Sequence, residues 1–400
     1  MHIVMFGDQH VESSGGAQVS MRLQRRFLER AGHTVTIVQP RLHARPVADP
    51  AFLDLPSLPV TLDREYGMTL PTRAADRAVD AGMVGRPPVD VVHVQGDFWG
   101  AILGHRFAAR HTLPVVHTMH NRVDVGIAAT TPFPRLALRV LNAWAGRAIR
   151  PRAPRESGTD GWAYLRRFGA RAAAVTAPSS HFAHRLMAHH VRPGGSPDGR
   201  VDVVWNGIDD EMLDAAGAAP APAPAKTPPR LVWVGRMSPE KRLLPFLDAL
   251  ADSGVAADVT VIGGGGQARA ARRLVARRRP AARVTFAGRL PYAETLRRLA
   301  AADALVQSSV GFETQGMTVF EAASLGTPAI VADPDIADEL GGGVWRVGTE
   351  PEAFAAALRD AVADIDAGRA PRPRPEIAES FRQSSRTEAM IAVYERVRRR

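Results

Sequence analysis

Cysteine is absent from all 400 residues, so neither a disulfide nor a thiolate-held metal can form. The opening MHIVMFGD reaches an acid at Asp8 with no basic stretch ahead of it, unlike a secretory leader. Both features are those expected of a chain in a reducing, cytoplasmic setting. Long apolar runs are missing as well. None approaches the ~20 residues that cross a bilayer, which excludes a spanning helix and leaves attachment to a membrane surface open. Lysine is almost missing: of 51 basic residues only Lys226 and Lys241 are lysines. With alanine and proline abundant, the arginine excess reads as codon bias and is poor evidence of a binding patch. The formal charge of +10 admits nucleic acid or anionic lipid as a partner. Single-stranded nucleic acid wants aromatic platforms among the basic residues, and ARRLVARRRPAAR (271–283) has none. Nucleic acid is therefore not the expected partner.

The length is that of two domains, since single cores stop growing near roughly 250–300 residues. Apolar, β-rich runs alternate with helical patterns: HIVMF (2–6), TVTIV (34–38), VDVVHV (89–94), PVVHT (114–118), AAAVTA (172–177) and VDVVW (201–205). The alternating Ala-Pro of 215–229 favours extended polyproline II and reads as a linker, with Lys226 a solvated charge in it. The alternation then restarts with RLVWVG (230–235), DVTVIG (258–263), RVTFAG (283–288), DALVQSS (303–309) and TPAIVA (327–332). This predicts an α/β protein with two Rossmann-like domains facing across a cleft, at 1–214 and 230–375. Ligands are expected beyond the carboxyl ends of the strands. A single amphipathic helix over 376–400, with Ile377, Phe381, Met390, Ile391 and Tyr394, is expected to pack back on the first domain. Hinges are expected at the linker and near 371–375.

Five stretches could carry chemistry. SSGGAQ (13–18) sets Gly15 and Gly16 ahead of a helix ending near Arg30, a place for an anion or simply a tight βα turn. In GRMSPEKR (235–242), Gly235 and Arg236 follow a strand, Ser238 is an N-cap and Pro239 opens a helix. Lys241 then falls in the first turn, opposing the helix dipole unless something anionic sits nearby. In GFETQGMTVFEAASLG (311–326), Glu313 precedes a helix expected over 317–325. Glu321 lies one turn inside it, on an otherwise apolar surface. A buried acid there needs a partner, for which vicinal hydroxyls would serve, and an exposed helix position is the alternative. In VVHTMHN (115–121), His117 belongs to a strand and reads as structural, while His120 lies past the strand end, as a ligand contact or an ordinary satisfied histidine. Asn206-Gly207 reads as a turn.

Taken in order, SGGAQ, LERAGHTVTIV, VDVVHVQ, LPVVHTMH, VTAPSS, VVWNGID, LVWVGRMSPEKR, VTVIGGGG, VTFAGRL, ADALVQSS and the two glutamates eight apart resemble family 4 of the retaining GT-B glycosyltransferases. That family includes phosphatidylinositol mannosyltransferases and diacylglycerol glucosyltransferases. The resemblance covers nearly the whole chain. It implies transfer of a hexose from a UDP-sugar or GDP-mannose to a hydroxyl acceptor, with no required metal. Arg236 and Lys241 would neutralise the departing diphosphate, cradled by the backbone of Gln315, Gly316, Met317 and Thr318. Glu313 would contact the sugar and Glu321 the ribose. His120 would reach the sugar from the first domain. Gly15 and Gly16 would approach the donor phosphate, with Gly235, Gly263 and Gly264 also on the donor side. Arg289 and Leu290 would meet the base. No DxD pair occurs where a donor metal would sit, and Asp333-Pro334-Asp335 reads as a turn. No carboxylate demands the role of covalent nucleophile, so front-face substitution is the implied mechanism.

The ETQGM and HTMH wording resembles the glycolipid-making branch, which implies a lipid acceptor and a peripheral place on the inner face of the membrane. An aminocyclitol, inositol phosphate or growing polysaccharide is the alternative acceptor. Helix 133–150 is expected to set Phe133, Ala137, Val140, Trp144 and Ala148 on one face and Arg135, Arg139 and Arg150 towards the other. That is the profile of an interfacial helix drawn to anionic lipid, or of an ordinary core-facing helix. The Pro-rich region 39–88 matches no motif and is a candidate lining for the acceptor pocket.

Overall fold

The computed structural model describes residues 1–13, 15–45, 47–61, 64–149, 158–194, 199–217, 228–350 and 352–399. They form two compact units, Met1–Gly207 with Gln383–Arg400, and Ile208–Arg382.

The first unit runs β1 (His2–Phe6), α1 (Gly16–Arg30), β2 (Thr34–Pro40), β3 (Phe52–Leu55), β4 (Leu58–Pro59), β5 (Gly67–Met68), α2 (Arg73–Gly82), β6 (Val91–Val94), α3 (Trp99–His111), β7 (Val115–Thr118), α4 (Val123–Thr130), α5 (Pro134–Ala148), α6 (Gly161–Gly169), β8 (Ala174–Ala177), α7 (Ser180–Ala188) and β9 (Asp202–Val203). Seven strands form a parallel sheet in the order β3-β2-β1-β6-β7-β8-β9, while β4 and β5 pair antiparallel. The strands β1, β6, β7 and β8 are buried at every position, as a sheet covered on both faces requires. Region 39–88 thus holds an edge strand, a short hairpin and a helix. The four residues of β3, FLDL, are too short to announce themselves in the sequence.

The second unit runs α8 (Asp210–Gly217), β10 (Arg230–Val234), a 3₁₀ turn (Pro239–Lys241), α9 (Leu243–Ser253), β11 (Asp258–Ile262), α10 (Ala268–Arg278), β12 (Arg283–Gly288), α11 (Tyr292–Ala300), β13 (Ala304–Gln307), α12 (Met317–Ser324), β14 (Ala329–Val331), α13 (Pro334–Leu340), β15 (Val344–Arg346), α14 (Ala353–Asp366) and α15 (Glu376–Ser380). Its sheet is parallel, in the order β12-β11-β10-β13-β14-β15. Each sheet reverses its strand order beside its first strand, between β1 and β6 and between β10 and β13. Beyond those strand ends is where such sheets bind ligands.

Several expectations change. The units part at Gly207/Ile208 rather than at the linker, whose residues 218–227 lie outside those described. Helix α8 packs on α11, so it belongs to the second unit. Asn206-Gly207 makes no turn. Asn206 is buried and accepts from Ser20 Oγ at 2.7 Å, just before the chain leaves the first unit. The expected helix over 376–400 is broken, with α16 (Gln383–Arg398) separate from α15. Ile208 N–H donates to Phe381 C=O at 2.7 Å, and Ile208 pairs with Arg382 as an isolated bridge, which takes the backbone between the two helices into a contact with another segment. The apolar stripe read as one face therefore serves two cores. Phe381 stacks on Phe320 of α12 at 4.4 Å, while Met390 and Tyr394 pack with Ile3, Met5 and Val116 of the first sheet. Asp333-Pro334-Asp335 is no turn; Asp333 caps α13, accepting from Asp335 N–H at 3.1 Å.

Helix α5 is rotated from the expected face. It buries Leu138, Asn142 and Ala145, with Trp144 and Ala148 packed at the edge of the core, and leaves Phe133 and Val140 exposed. The reason is a buried amide. Asn142 Nδ2 donates to Leu138 O at 2.9 Å and Asp160 O at 3.0 Å, and its Oδ1 accepts from Arg167 Nε at 3.1 Å. A fully satisfied asparagine can face the core without the usual penalty. Arg150 lies outside the described residues.

Candidate active site

In the second unit the strand ends gather most of the expected residues. Lys241 Nζ is ion-paired with Glu313, with 25% of the lysine side chain and 15% of the glutamate exposed. Ser309 Oγ donates to the same carboxylate at 2.8 Å. The partners come from different strand ends, and the residues Gln307-Ser308-Ser309 at the end of β13 tie them together. Ser308 Oγ donates to the Lys241 carbonyl at 2.7 Å and accepts from Trp233 Nε1 at 2.9 Å. Gln307 Nε2 donates to Ser309 O and Oγ at 2.7 and 2.8 Å, while its Oε1 accepts from Ala332 and Asp333 N–H. The buried side-chain polar groups of Gln307, Ser308 and Ser309 are thereby satisfied.

Lys241 does not lie in the first turn of a long helix, as expected. Residues 239–241 form a separate 3₁₀ turn, and Arg242, left-handed at φ 52°, separates it from α9. The anionic neighbour that the lone lysine called for is Glu313. Arg236 is mostly exposed and donates to Glu240 Oε1 at 3.2 Å. Gly235 and the 263–264 pair bring two backbone segments together. A Cβ on Gly263 would stand 1.9 Å from the Gly235 carbonyl oxygen, and Gly263 has φ 127°, so only glycine fits. Met237 N–H donates to Gly264 O at 2.9 Å. Arg289 is exposed and borders Gly264, and Leu290 is half-buried.

The second glutamate is buried. Gly316, left-handed at φ 78°, caps α12; Gln315 ahead of it is buried, and Met317 and Thr318 open the helix half-buried. Glu321 sits one turn further on, 5% exposed, with Tyr292 donating its hydroxyl to Oε1 at 2.8 Å. Burial pushes the Glu321 carboxyl up to about 7, against the pull of the Tyr292 hydrogen bond.

The first unit holds Gly15, Gly16 and His120. Gly15 is the N-cap of α1. Gly16 has no positive φ, and a Cβ there would meet nothing within 4 Å, so neither conformation nor packing explains its glycine. His117 is buried in β7, bonded to the Gly96 carbonyl at 2.9 Å and the His105 ring at 3.1 Å, a structural residue. His120 lies just past that strand. Its Nε2 donates to Gln95 Oε1 at 3.0 Å, and Gln95 Nε2 in turn donates to Gln24 Oε1 at 2.6 Å. Burial holds the imidazole down to about 4, outweighing the opposite pull of Asp97, so the ring is neutral near pH 7.

Asp97, fully buried, sets the loop of His120. It accepts from the backbone of His120 at 3.2 Å and of Asn121 at 3.0 Å, and from Asn121 Nδ2 at 2.7 Å. Asp8 accepts in turn from the N–H groups of Asp97, Phe98 and Gly100 at 2.7–3.0 Å, capping α3 from another strand end. Burial and the neighbouring Asp97 raise Asp8 to about 6. Sequence reasoning missed Asp8, Gln95, Asp97, Tyr292 and Ser309. Four of them, Asp8, Gln95, Asp97 and Ser309, follow a strand by one to three residues, the one signal that was there to read. Tyr292 carries none, because its partner is 29 residues away and meets it only in the fold.

Residues 14–212 match the family model for Glycosyltransferase Family 4, and residues 228–364 match that for Glycosyl transferases group 1. Comparison with curated proteins gives no match. Among solved structures, the chain is similar to HepE of Anabaena in complex with UDP and glucose, at TM-score 0.65 and 16% identity over 99% of each chain. It is also similar to the lipopolysaccharide outer core galactosyltransferase WaaB, at TM-score 0.62 and 16% identity over 99% of this chain and 100% of that one. AviGT4, a glycosyltransferase involved in avilamycin A biosynthesis, aligns at TM-score 0.56 and 16% identity over 99% and 97%. At these identities the likeness is one of fold.

Proposed function

The chain belongs to the GT4-type glycosyltransferases of the GT-B fold, its two matched models lying at 14–212 and 228–364, and we propose that it transfers a hexose, with retention, from a nucleoside-diphosphate sugar to a hydroxyl of a lipid-linked acceptor. The observation that carries this reading is the pairing of Lys241 with Glu313, four residues ahead of the start of α12. When a diphosphate enters, the ammonium exchanges its carboxylate partner for phosphate, and Glu313 is released towards sugar hydroxyls. Arg236 and the first N–H groups of α12 add fixed positive potential where charge develops on the leaving group. Glu321 accepts from ribose hydroxyls. Gly16, a glycine that neither its backbone conformation nor its packing requires, leaves room for the donor phosphate. His120, neutral, exchanges hydrogen bonds with the sugar. Gly264, Arg289 and Leu290 flank the base. The leaving phosphate takes the acceptor's proton, and no divalent ion is needed.

Uridine is the first choice of nucleotide, supported by the likeness to HepE, which was solved with UDP; GDP-mannose is the alternative. The lipid acceptor has support in the likeness to WaaB, a lipopolysaccharide galactosyltransferase. A lipid acceptor goes with a peripheral position on the cytoplasmic face of a membrane; among the described residues no helix is long and apolar enough to cross one. A soluble acceptor is the second reading, favoured by the likeness to AviGT4. The test is hydrolysis of a panel of UDP-sugars and GDP-mannose without acceptor, with calorimetry of UDP and GDP in the presence of a chelator. One nucleotide should bind with chelator present, and its sugar should be released. Absence of binding by either nucleotide, or binding that requires a divalent ion, overturns the proposal.

A further inference from the structure

On α5 the residues opposite the core are apolar where a solvated helix would be polar. Phe133, at the N-cap, is 69% exposed, and Leu136 and Val140 are each 61% exposed. At positions i, i+3 and i+7 they fall on one stripe, and exposed Ala143 continues it. The buried face, Leu138, Asn142 and Ala145, lies on the other side of the helix. Arginines accompany the stripe. Arg135 and Arg139 run along one flank, and Arg147 ends it; all three are exposed. The helix contains no acid. Among the described residues no carboxylate neutralises these three guanidinium groups. An apolar stripe exposed to water is unfavourable, and with cations along it the face suits an apolar interior under a layer of negative headgroups.

We propose that the outer face of α5 is the surface by which this enzyme lies on an anionic phospholipid membrane, with Phe133, Leu136 and Val140 in the acyl boundary and Arg135, Arg139 and Arg147 among the phosphates. The helix would lie flat, its 15 residues giving roughly 22 Å of contact. The proposal refines the membrane-peripheral reading above and rests on it. It also shifts the helix face that periodicity suggested: Phe133 and Val140 stay on it and Leu136 joins them, while Trp144 and Ala148 are committed to the core. The arginine bias of this chain does not account for the stripe, since codon usage favouring arginine places no phenylalanine, leucine and valine on the solvent side.

The test is flotation of the full chain with vesicles of phosphatidylcholine alone or mixed equally with phosphatidylglycerol. The wild type should bind the mixed vesicles, and 0.5 M salt should weaken that binding at least tenfold. Replacing Arg135, Arg139 and Arg147 together by Gln should weaken it roughly a hundredfold, at about fivefold per cation near the surface. Phe133→Ser with Leu136→Ser should weaken it more than tenfold at low salt. Sugar-nucleotide hydrolysis in solution should stay at the wild-type rate in both variants, which also shows that they are folded. Wild type that ignores both vesicle types refutes the surface and the membrane reading together. Wild-type binding that both variants retain refutes the surface alone. A concentration-dependent dimer that the serine variant dissolves, without vesicle binding, assigns the stripe to a second copy instead and overturns the proposal.

Discussion

The two units finish their central strands under opposite electrostatic conditions. In the second unit, Lys241 and Glu313 carry opposite charges and satisfy one another near the surface. In the first, His120 is an uncharged ring, held by a side-chain amide at Nε2 and by a buried carboxylate at its backbone. Partly exposed charges that pair with each other can re-pair with a ligand at small net cost, because they exchange one partner for another. A neutral imidazole on a buried network offers direction and little charge. On the proposed reading, the second unit suits the diphosphate and the first the orientation of hydroxyl groups.

The largest effect that tests this division comes from the ion pair. Lys241→Ala and Glu313→Ala should each lower kcat/KM about a hundredfold or more, the scale of losing one preorganised group that meets developing charge. The double variant should lose less than the product of the two, since each single change strands the other partner. Steady-state rates at matched donor concentrations check both. His120→Ala should cost about tenfold, and its pH profile should show no His120 ionisation between pH 6 and 8. The ring titrates near 4 in the folded chain and near 6.5 when unfolded. Its contribution to stability is therefore present above pH 6.5 and lost as pH falls through about 4. A hundredfold loss, or a His120 inflection near neutrality, would break the comparison.

A smaller effect sharpens it within the second unit. Tyr292→Phe removes the hydrogen bond that favours the charged form of Glu321, so the carboxyl moves further above about 7. Donor KM should rise severalfold at pH 7 and recover at higher pH, with kcat little changed. A KM independent of pH would disconnect Tyr292 from the donor. The raised Glu321 has a sign of its own for folding. The native state holds its proton longer than the unfolded chain does, so stability falls as pH rises from about 4.5 to about 7. The smallest effect lies away from both strand ends. Tyr394 donates to, or accepts from, the buried His93 ring at 2.6 Å, where burial holds the imidazole down to about 3. Tyr394→Phe should destabilise the first unit by about 1–3 kcal/mol in urea titration and leave donor hydrolysis unchanged.

The strand alternation was legible because a doubly covered parallel sheet makes each strand a continuous apolar run, and turn residues mark the gaps. The glutamate pair and the retained lysine stood out as local conflicts: one acid just ahead of an apolar helix and one on it, and a lysine in an arginine-writing chain. What stayed hidden was orientation and partnership. The outward face of α5 depends on where Asn142 finds its hydrogen bonds, and the break between α15 and α16 on a bridge to Ile208, far away in the chain.

By itself the sequence determined the parallel α/β architecture, the glycosyltransferase resemblance and the list of charged groups that could meet a phosphate. All three rest on local spacing, which periodicity and turn chemistry record. Only the tertiary structure decided that Lys241 is already paired with Glu313, that Glu321 is buried against Tyr292, and that His120 is neutral. Those are matters of proximity between residues far apart in the chain and of exclusion from water, and both arise when strand ends are brought side by side.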